Sequence, residues 1–278
     1  MKTLKIGTRG SPLALAQTQM VVDALSSNGY ASEIIKVKTS GDRFQSVPLN
    51  QIGGKALFAK ELQTLLLEDK IDLAVHSLKD LETIHPEGLS LLGVLKREEP
   101  NDVLITKKGF LNGDFSEGMP FVLGTCSPRR EAFVKHFFKN ATIVPLRGNV
   151  ESRLQKIKLN EMDATILALA GLKRLNLLEK LSHDFDFKVL DIETFTPASC
   201  QGIIGIEGKD HFKEIVNLIS DVTTYSLAML ERQRVKDFSG NCHSAIGVHA
   251  RIVDTHTHIL TRYIDPITNQ MTFKKQKI

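Results

Sequence analysis

Six cations fall between Cys126 and Arg153, namely Arg129, Arg130, Lys135, Lys139, Arg147 and Arg153, and only Glu131 and Glu151 oppose them, so this window nets +4. Local patterning places Arg129-Arg130 at the start of a helix, and Arg147-Gly148-Asn149 repeats the arrangement at the next strand-to-helix junction. A cation at a helix N-terminus opposes the macrodipole and costs stability unless an anion sits there. The planar guanidinium fork suits a carboxylate or a phosphate, and Gly148 would let the backbone approach such a ligand. The competing reading is a solvated basic face, the commoner one for any single arginine. Paired arginines at successive junctions favour anion binding.

A second constellation, His76-Ser77-Leu78-Lys79-Asp80, follows the apolar run Leu73 to Val75, which puts its polar residues at a sheet mouth. Lys79 could take an anion, and Asp80 could act as a general acid/base or stabilise a cation; an ordinary helix-capping aspartate is an equal alternative. Gly53-Gly54-Lys55, preceded by the Thr39 to Pro48 stretch, looks like a mobile loop that could serve as a lid. It is not a phosphate loop, because Ala56 stands where that motif needs serine or threonine. Cys242 lies in the turn-forming Ser239-Gly240-Asn241-Cys242, which suggests an accessible thiol, with a buried inert cysteine as the alternative. His243, His249, His256 and His258 follow; His256 and His258 would share a strand face, as a metal pair might, although solvated histidines are the commoner outcome.

The elements that must position these residues alternate. Leu4 to Gly7 reads as a strand, and Ser11-Pro12 supplies an N-cap and a first-turn proline for a helix running to Asn28-Gly29. Ser32 to Thr39 reads as a strand, Ala56 to Glu68 as a helix and Ile71 to Val75 as a buried strand. Such alternation predicts an α/β domain with a largely parallel sheet, so Arg9, Ser11 and the His76 to Asp80 stretch fall at strand carboxyl ends. After a hinge at Arg97 to Pro100 the pattern restarts. Val103 to Thr106, Phe121 to Gly124, Thr142 to Leu146 and Ala164 to Leu169 read as strands, and Arg129 to Phe138 and Val150 to Asn160 as helices. A helix from Asp221 to Gly240 then leads to an antiparallel meander over Ile246 to Val253, Thr257 to Tyr263 and Met271 to Lys274, a small α+β tail.

With 278 residues, 42% hydrophobic and 24% charged, the chain can bury two or three cores, which excludes a disordered or collagen-like protein. A net charge of +4 is too small to announce a nucleic-acid binder, and with no tryptophan and 6% aromatic residues the chain is poor in stacking platforms. The best apolar run, Ala164 to Leu172, is too short to span a bilayer. Near the N-terminus, Arg9, Pro12 and Gln17 break up any signal-peptide core, which points to a cytoplasmic address. Three widely spaced cysteines, Cys126, Cys200 and Cys242, match neither a disulfide framework nor a zinc pattern.

In their common order, these segments closely resemble the hydroxymethylbilane synthase (porphobilinogen deaminase) family. The resemblance rests on Thr8-Arg9-Gly10-Ser11-Pro12-Leu13-Ala14, Thr39-Ser40-Gly41-Asp42, Gly53-Gly54-Lys55, Val75-His76-Ser77-Leu78-Lys79-Asp80, Arg97-Glu98, Gly124-Thr125, Arg129-Arg130, Leu146-Arg147-Gly148-Asn149 and Ala170-Gly171-Leu172-Lys173-Arg174. It implies an α/β fold of two domains like type II periplasmic binding proteins around a cleft, plus a small α+β third domain. The expected boundaries are residues 1–96 with 198–218, then 97–197, then 219–278. By the same resemblance, Cys242 would carry a covalent dipyrromethane cofactor through a thioether. Porphobilinogen would lose ammonia and condense stepwise on that cofactor, four units in all, before water releases linear hydroxymethylbilane.

The resemblance makes Asp80 the catalytic acid/base and cation stabiliser, with Arg9 promoting deamination. Ser11, Lys79, Asp80, Thr125, Ser127, Arg129, Arg130, Arg147 and Gly148 would bind the cofactor, while Arg9, Ser11, Arg147, Arg153 and Lys55 would bind substrate carboxylates. The implied partners are porphobilinogen and the growing oligopyrrole, with no nucleic acid, membrane or metal, and the chain is expected to be a monomer. It departs from the family pattern at Cys126, Pro128 and Asn241, at Ser199-Cys200-Gln201-Gly202 where a glycine usually precedes the Gln-Gly pair, and at Ile278, where members usually continue into a terminal helix. The rival class is a two-lobed carboxylate-binding protein without catalysis, or a degenerate paralogue; Asp80 and Cys242 together favour the transferase, since a mere carboxylate binder needs neither.

Overall fold

The computed structural model describes residues 3–37, 57–110, 119–238, 245–265, 268 and 270–278. They divide into two compact units, Met1–Glu98 with Gly202–Met229, and Glu99–Gln201 with Leu230–Ile278.

In the first unit, β1 (Leu4–Arg9), α1 (Pro12–Ser27), β2 (Ser32–Val37), α2 (Leu57–Leu67), β3 (Leu73–Ser77) and β4 (Ser90–Val94) follow in order. In the second come β5 (Asp102–Lys107), β6 (Phe121–Gly124), α3 (Pro128–Phe137), β7 (Ala141–Val144), α4 (Val150–Lys158), β8 (Ala164–Ala168), α5 (Leu169–Arg174), α6 (Leu177–Lys180) and β9 (Phe185–Val189). The chain then supplies β10 (Ile204–Gly208) and α7 (Lys213–Asn217) to the first unit, and α8 (Val222–Phe238) leads to β11 (Ile246–Val253), β12 (His256–Ile264) and β13 (Met271–Lys277).

Both five-stranded sheets share one plan. The first has the order β2-β1-β3-β10-β4 and the second β7-β6-β8-β5-β9. Three parallel strands lie at one side, and the fourth position is an antiparallel strand, β10 between β3 and β4, and β5 between β8 and β9. Alternating side chains feed two cores per sheet. Leu73 and Val75 join Val21 and Leu25 of α1, whereas Ala74 joins Leu62 and Leu66 of α2. In the second unit Val103 and Ile105 pack with Leu154 and Ile157 of α4, and Leu104 packs with Phe133 and Val134 of α3. The third sheet, β11-β12-β13, is an antiparallel meander. The α/β class and the small C-terminal sheet expected from the sequence are therefore present; β4, β9 and β10 are strands that local pattern reading did not find.

Candidate functional site

In the first unit, β1 and β3 are adjacent parallel strands, so Arg9 and the residues after Val75 leave the same carboxyl edge. Ser11 caps α1 as its sequence predicts, its Oγ accepting from the Ala14 amide at 3.3 Å. β3 runs two residues further than the apolar pattern indicates, taking in His76 and Ser77, and Leu78–Asp80 forms a single 3-10 turn. The turn is secured from two sides: the Leu78 amide donates to Ile203 O at 3.0 Å, and Ser77 Oγ donates to Gln17 Oε1 of α1 at 2.9 Å. Asp80 is exposed, and no hydrogen bond or ion pair among the described residues engages its carboxylate. The capping alternative is thus not what this aspartate does within the described residues. Lys79 beside it is half-buried.

Beneath this turn lies a group that sequence reading missed. Glu207 of β10 is fully buried; its Oε1 accepts from Gln63 Nε2 at 2.9 Å and lies 2.7 Å from His85 Nδ1, while Oε2 faces His76 Nε2 at 2.9 Å. Burial by itself would push this carboxyl up, yet the imidazoles of His76 and His85 and the Gln63 amide overcome it and bring the pKa from 4.5 down to about 2.

In the second unit Ser127 caps α3 through its Oγ, which accepts from the Arg130 amide at 3.4 Å, and Thr125 Oγ1 accepts from the Ser127 amide at 3.1 Å. Arg129 and Arg130 do sit in the first turn of α3, but they are buried, and the anion beside them is the protein's own Asp102. Arg129 Nη2 donates to Asp102 Oδ2 at 2.7 Å and Nη1 to Thr196 O at 2.9 Å; Arg130 donates through Nη2 and Nε to Oδ1 at 2.7 and 3.1 Å. Gln201 Nε2 adds a bond to the same Oδ1 at 3.1 Å. Burial holds the Arg129 guanidinium below its usual pKa, Asp102 opposing this and Arg130 reinforcing it. Two guanidiniums share one carboxylate, so one positive charge remains in surplus.

At the next junction Asn149 caps α4, accepting from the Ser152 amide at 2.8 Å, and Arg153 Nε donates to Gly148 O at 2.8 Å. Gly148 adopts φ +113°, and a Cβ there would collide with the Ser152 side chain, so the glycine is required by the turn itself. Half-buried Arg147 has no hydrogen-bonded or charged partner among the described residues. Cys126, between Thr125 and Ser127, is exposed, whereas Cys200 is buried with φ +59°, the left-handed conformation that favours glycine. Its amide donates to Glu231 Oε2, and the other oxygen of that carboxylate accepts from the Ala250 amide. His249, expected to be solvated, is buried beside Glu231. No group of three or more histidine, cysteine, aspartate or glutamate side chains among the described residues could hold a metal ion. Lys55, Gly53-Gly54, the proposed lid, Cys242 and His243 lie outside the described residues.

Residues 4–217 match the family model described as porphobilinogen deaminase, dipyromethane cofactor binding domain. The chain belongs to the porphobilinogen deaminase family. It is 42% identical to the porphobilinogen deaminase of Alkaliphilus metalliredigens (strain QYMF) over 264 residues, covering 93% of this chain and 81% of the relative. A probable porphobilinogen deaminase of Methanocaldococcus jannaschii is 40% identical over 269 residues, covering 96% of this chain and 88% of that protein. Among solved structures, the Bordetella pertussis BvgS VFT2 domain (double mutant F375E/Q461E) aligns with 84% of this chain and 92% of its own at 15% identity and a TM-score of 0.48. No helix among the described residues is long and apolar enough to cross a membrane.

Proposed function

We propose that this member of the porphobilinogen deaminase family is a hydroxymethylbilane synthase that joins four porphobilinogen units on a covalent dipyrromethane held by Cys242 and releases the linear product by hydrolysis. The observation that carries the reading is the family match over residues 4–217. The described residues fit a group bearing several carboxylates: Arg129 and Arg130 retain a surplus positive charge beside Asp102, and Arg147 is unengaged among those residues. When bound, the dipyrromethane supplies the nucleophilic carbon on which the chain grows. In this reading Arg129, Arg130 and Arg147 hold its carboxylates, and Thr125, Ser127 and Gly148 offer neutral hydrogen-bonding groups beside them. In the first unit Arg9, Ser11 and Lys79 take carboxylates, and Arg9 promotes loss of ammonia. Arg153 and Lys55 bind further substrate carboxylates. The exposed Asp80 accepts from pyrrole N–H groups, offsets positive charge on the deaminated substrate and moves its proton.

Intact mass after denaturation, combined with turnover of porphobilinogen, tests this. Wild type should carry a covalent increment of two linked pyrrole units that Cys242→Ser loses and that Cys126→Ser and Cys200→Ser keep, because a serine hydroxyl cannot form the thioether. A wild-type protein that neither loads nor releases hydroxymethylbilane when supplied with porphobilinogen overturns the reading in favour of a binding protein.

A further inference from the structure

Glu207 is a buried carboxylate that the proposed chemistry does not use, and its partners come from three places in the first unit. His76 is on β3, four residues before Asp80; His85 is in the loop five residues after it; Gln63 is on α2. Oε1 holds His85 at 2.7 Å and Gln63 at 2.9 Å, while Oε2 lies 2.9 Å from His76 Nε2, close enough for an ion pair but outside hydrogen-bonding geometry. A carboxylate with no exposed surface is tolerated only when surrounding donors replace its water, so each of these side chains is fixed by the need of the others. The two imidazoles bracket the Leu78–Asp80 turn, which the Leu78 and Leu81 amide bonds and the Ser77–Gln17 contact also tie down.

We propose that Glu207 is a positioning residue for the Lys79–Asp80 turn, acting through His76 before the turn and His85 after it. The claim rests on the reading of Asp80 as the catalytic acid/base. It assigns Glu207 no contact with substrate: the carboxylate lies inside the sheet face covered by α2, and what it controls is where the turn presents Asp80.

The test uses the full chain loaded with its cofactor. Glu207→Gln keeps the shape and one acceptor oxygen but removes the charge. Loss of global stability quickens exchange throughout the unit and is read at Ile6 in β1; the Leu78 and Leu81 amides should quicken about tenfold or more beyond that change, since the bracketed turn loosens locally as well. Turnover should fall about tenfold with KM changed less than about threefold and cofactor mass retained, because the binding arginines are untouched. His85→Gln should do the same to a smaller degree, and it carries the test if Glu207→Gln does not fold. In an Asp80→Asn background, Glu207→Gln should cost less than about twofold further. Unchanged exchange at Leu78 and Leu81, or exchange raised equally across the unit, overturns the proposal, as does a full multiplicative loss in the double variant. Normal turnover by Asp80→Asn alone would instead overturn the catalytic reading of Asp80, and the exchange result would still decide whether Glu207 positions the turn.

Discussion

The same carboxylate makes a quantitative prediction about acid stability. Glu207 titrates at about 2 in the folded protein against 4.5 for a free glutamate, so the folded state prefers the ionised form by about 3 kcal/mol. Between those values the unfolded chain binds the proton that the folded chain refuses, and stability therefore rises with pH. The contribution is complete above 4.5 and is lost as pH falls through about 2. Glu207→Gln removes this contribution at neutral pH and has nothing to lose in acid. The stability gap between wild type and variant should thus be about 3 kcal/mol near pH 6 and should shrink by about 2 kcal/mol by about pH 3. Urea unfolding of both proteins at several pH values, compared only where the m-values agree, reads the gap directly. A gap that stays flat from about pH 6 to about pH 3 would refute the reasoning, because it would place the folded-state pKa at its ordinary value.

Other substitutions test the remaining groups. If Asp80 has the proposed role, Asp80→Asn should keep fold and cofactor while lowering turnover by about a hundredfold or more, because the exposed carboxylate would no longer offset charge that develops on the reacting substrate; steady-state kinetics on loaded protein decide it. Arg147→Lys keeps the charge but loses the fork, and should weaken cofactor loading or elongation by about 1 to 3 kcal/mol, with unchanged loading and kinetics restoring the solvated-face reading. Cys200→Gly should lie within about 1 kcal/mol of wild type, relief of the left-handed backbone offsetting a small lost side chain, whereas Cys200→Val should cost more than about 2 kcal/mol in thermal unfolding, because a β-branched residue resists φ +59°.

Much of the fold was legible because its signals are local. Ser11-Pro12 announced α1, the leucine spacing announced α2, and the alternating meander announced the third sheet. β10 was not legible from pattern: it is a short run between Gly202 and Gly208, and its partner β3 pairs Ser77 with Ile204 across more than a hundred residues. Without that strand Glu207 had no visible partners, although an acid inside an apolar run was a signal to follow. Cys200 was visible as a departure from an expected glycine, but only φ +59° says that the backbone still adopts the glycine conformation. Asp102 was hidden by distance as well, lying 27 residues before Arg129 at the head of a strand whose next three residues are apolar.

That distance changes the charge argument on which the candidate site rests. Counting residues from Cys126 to Arg153 gives +4, but the count omits Asp102, which faces both guanidiniums of the first junction. The omission follows from topology. β5 runs against β8, pairing Asp102 with Ala168, the last residue of its neighbour. Its first residue therefore arrives at the carboxyl edge of the parallel strands, where α3 begins with Arg129 and Arg130. Two buried guanidiniums without a counter-ion would be untenable, whereas two sharing one carboxylate keep a single surplus charge in a fixed fork. In the proposed reading an anionic ligand would meet arginines whose rotamers are already ordered, so less of its binding energy would be spent on arranging them.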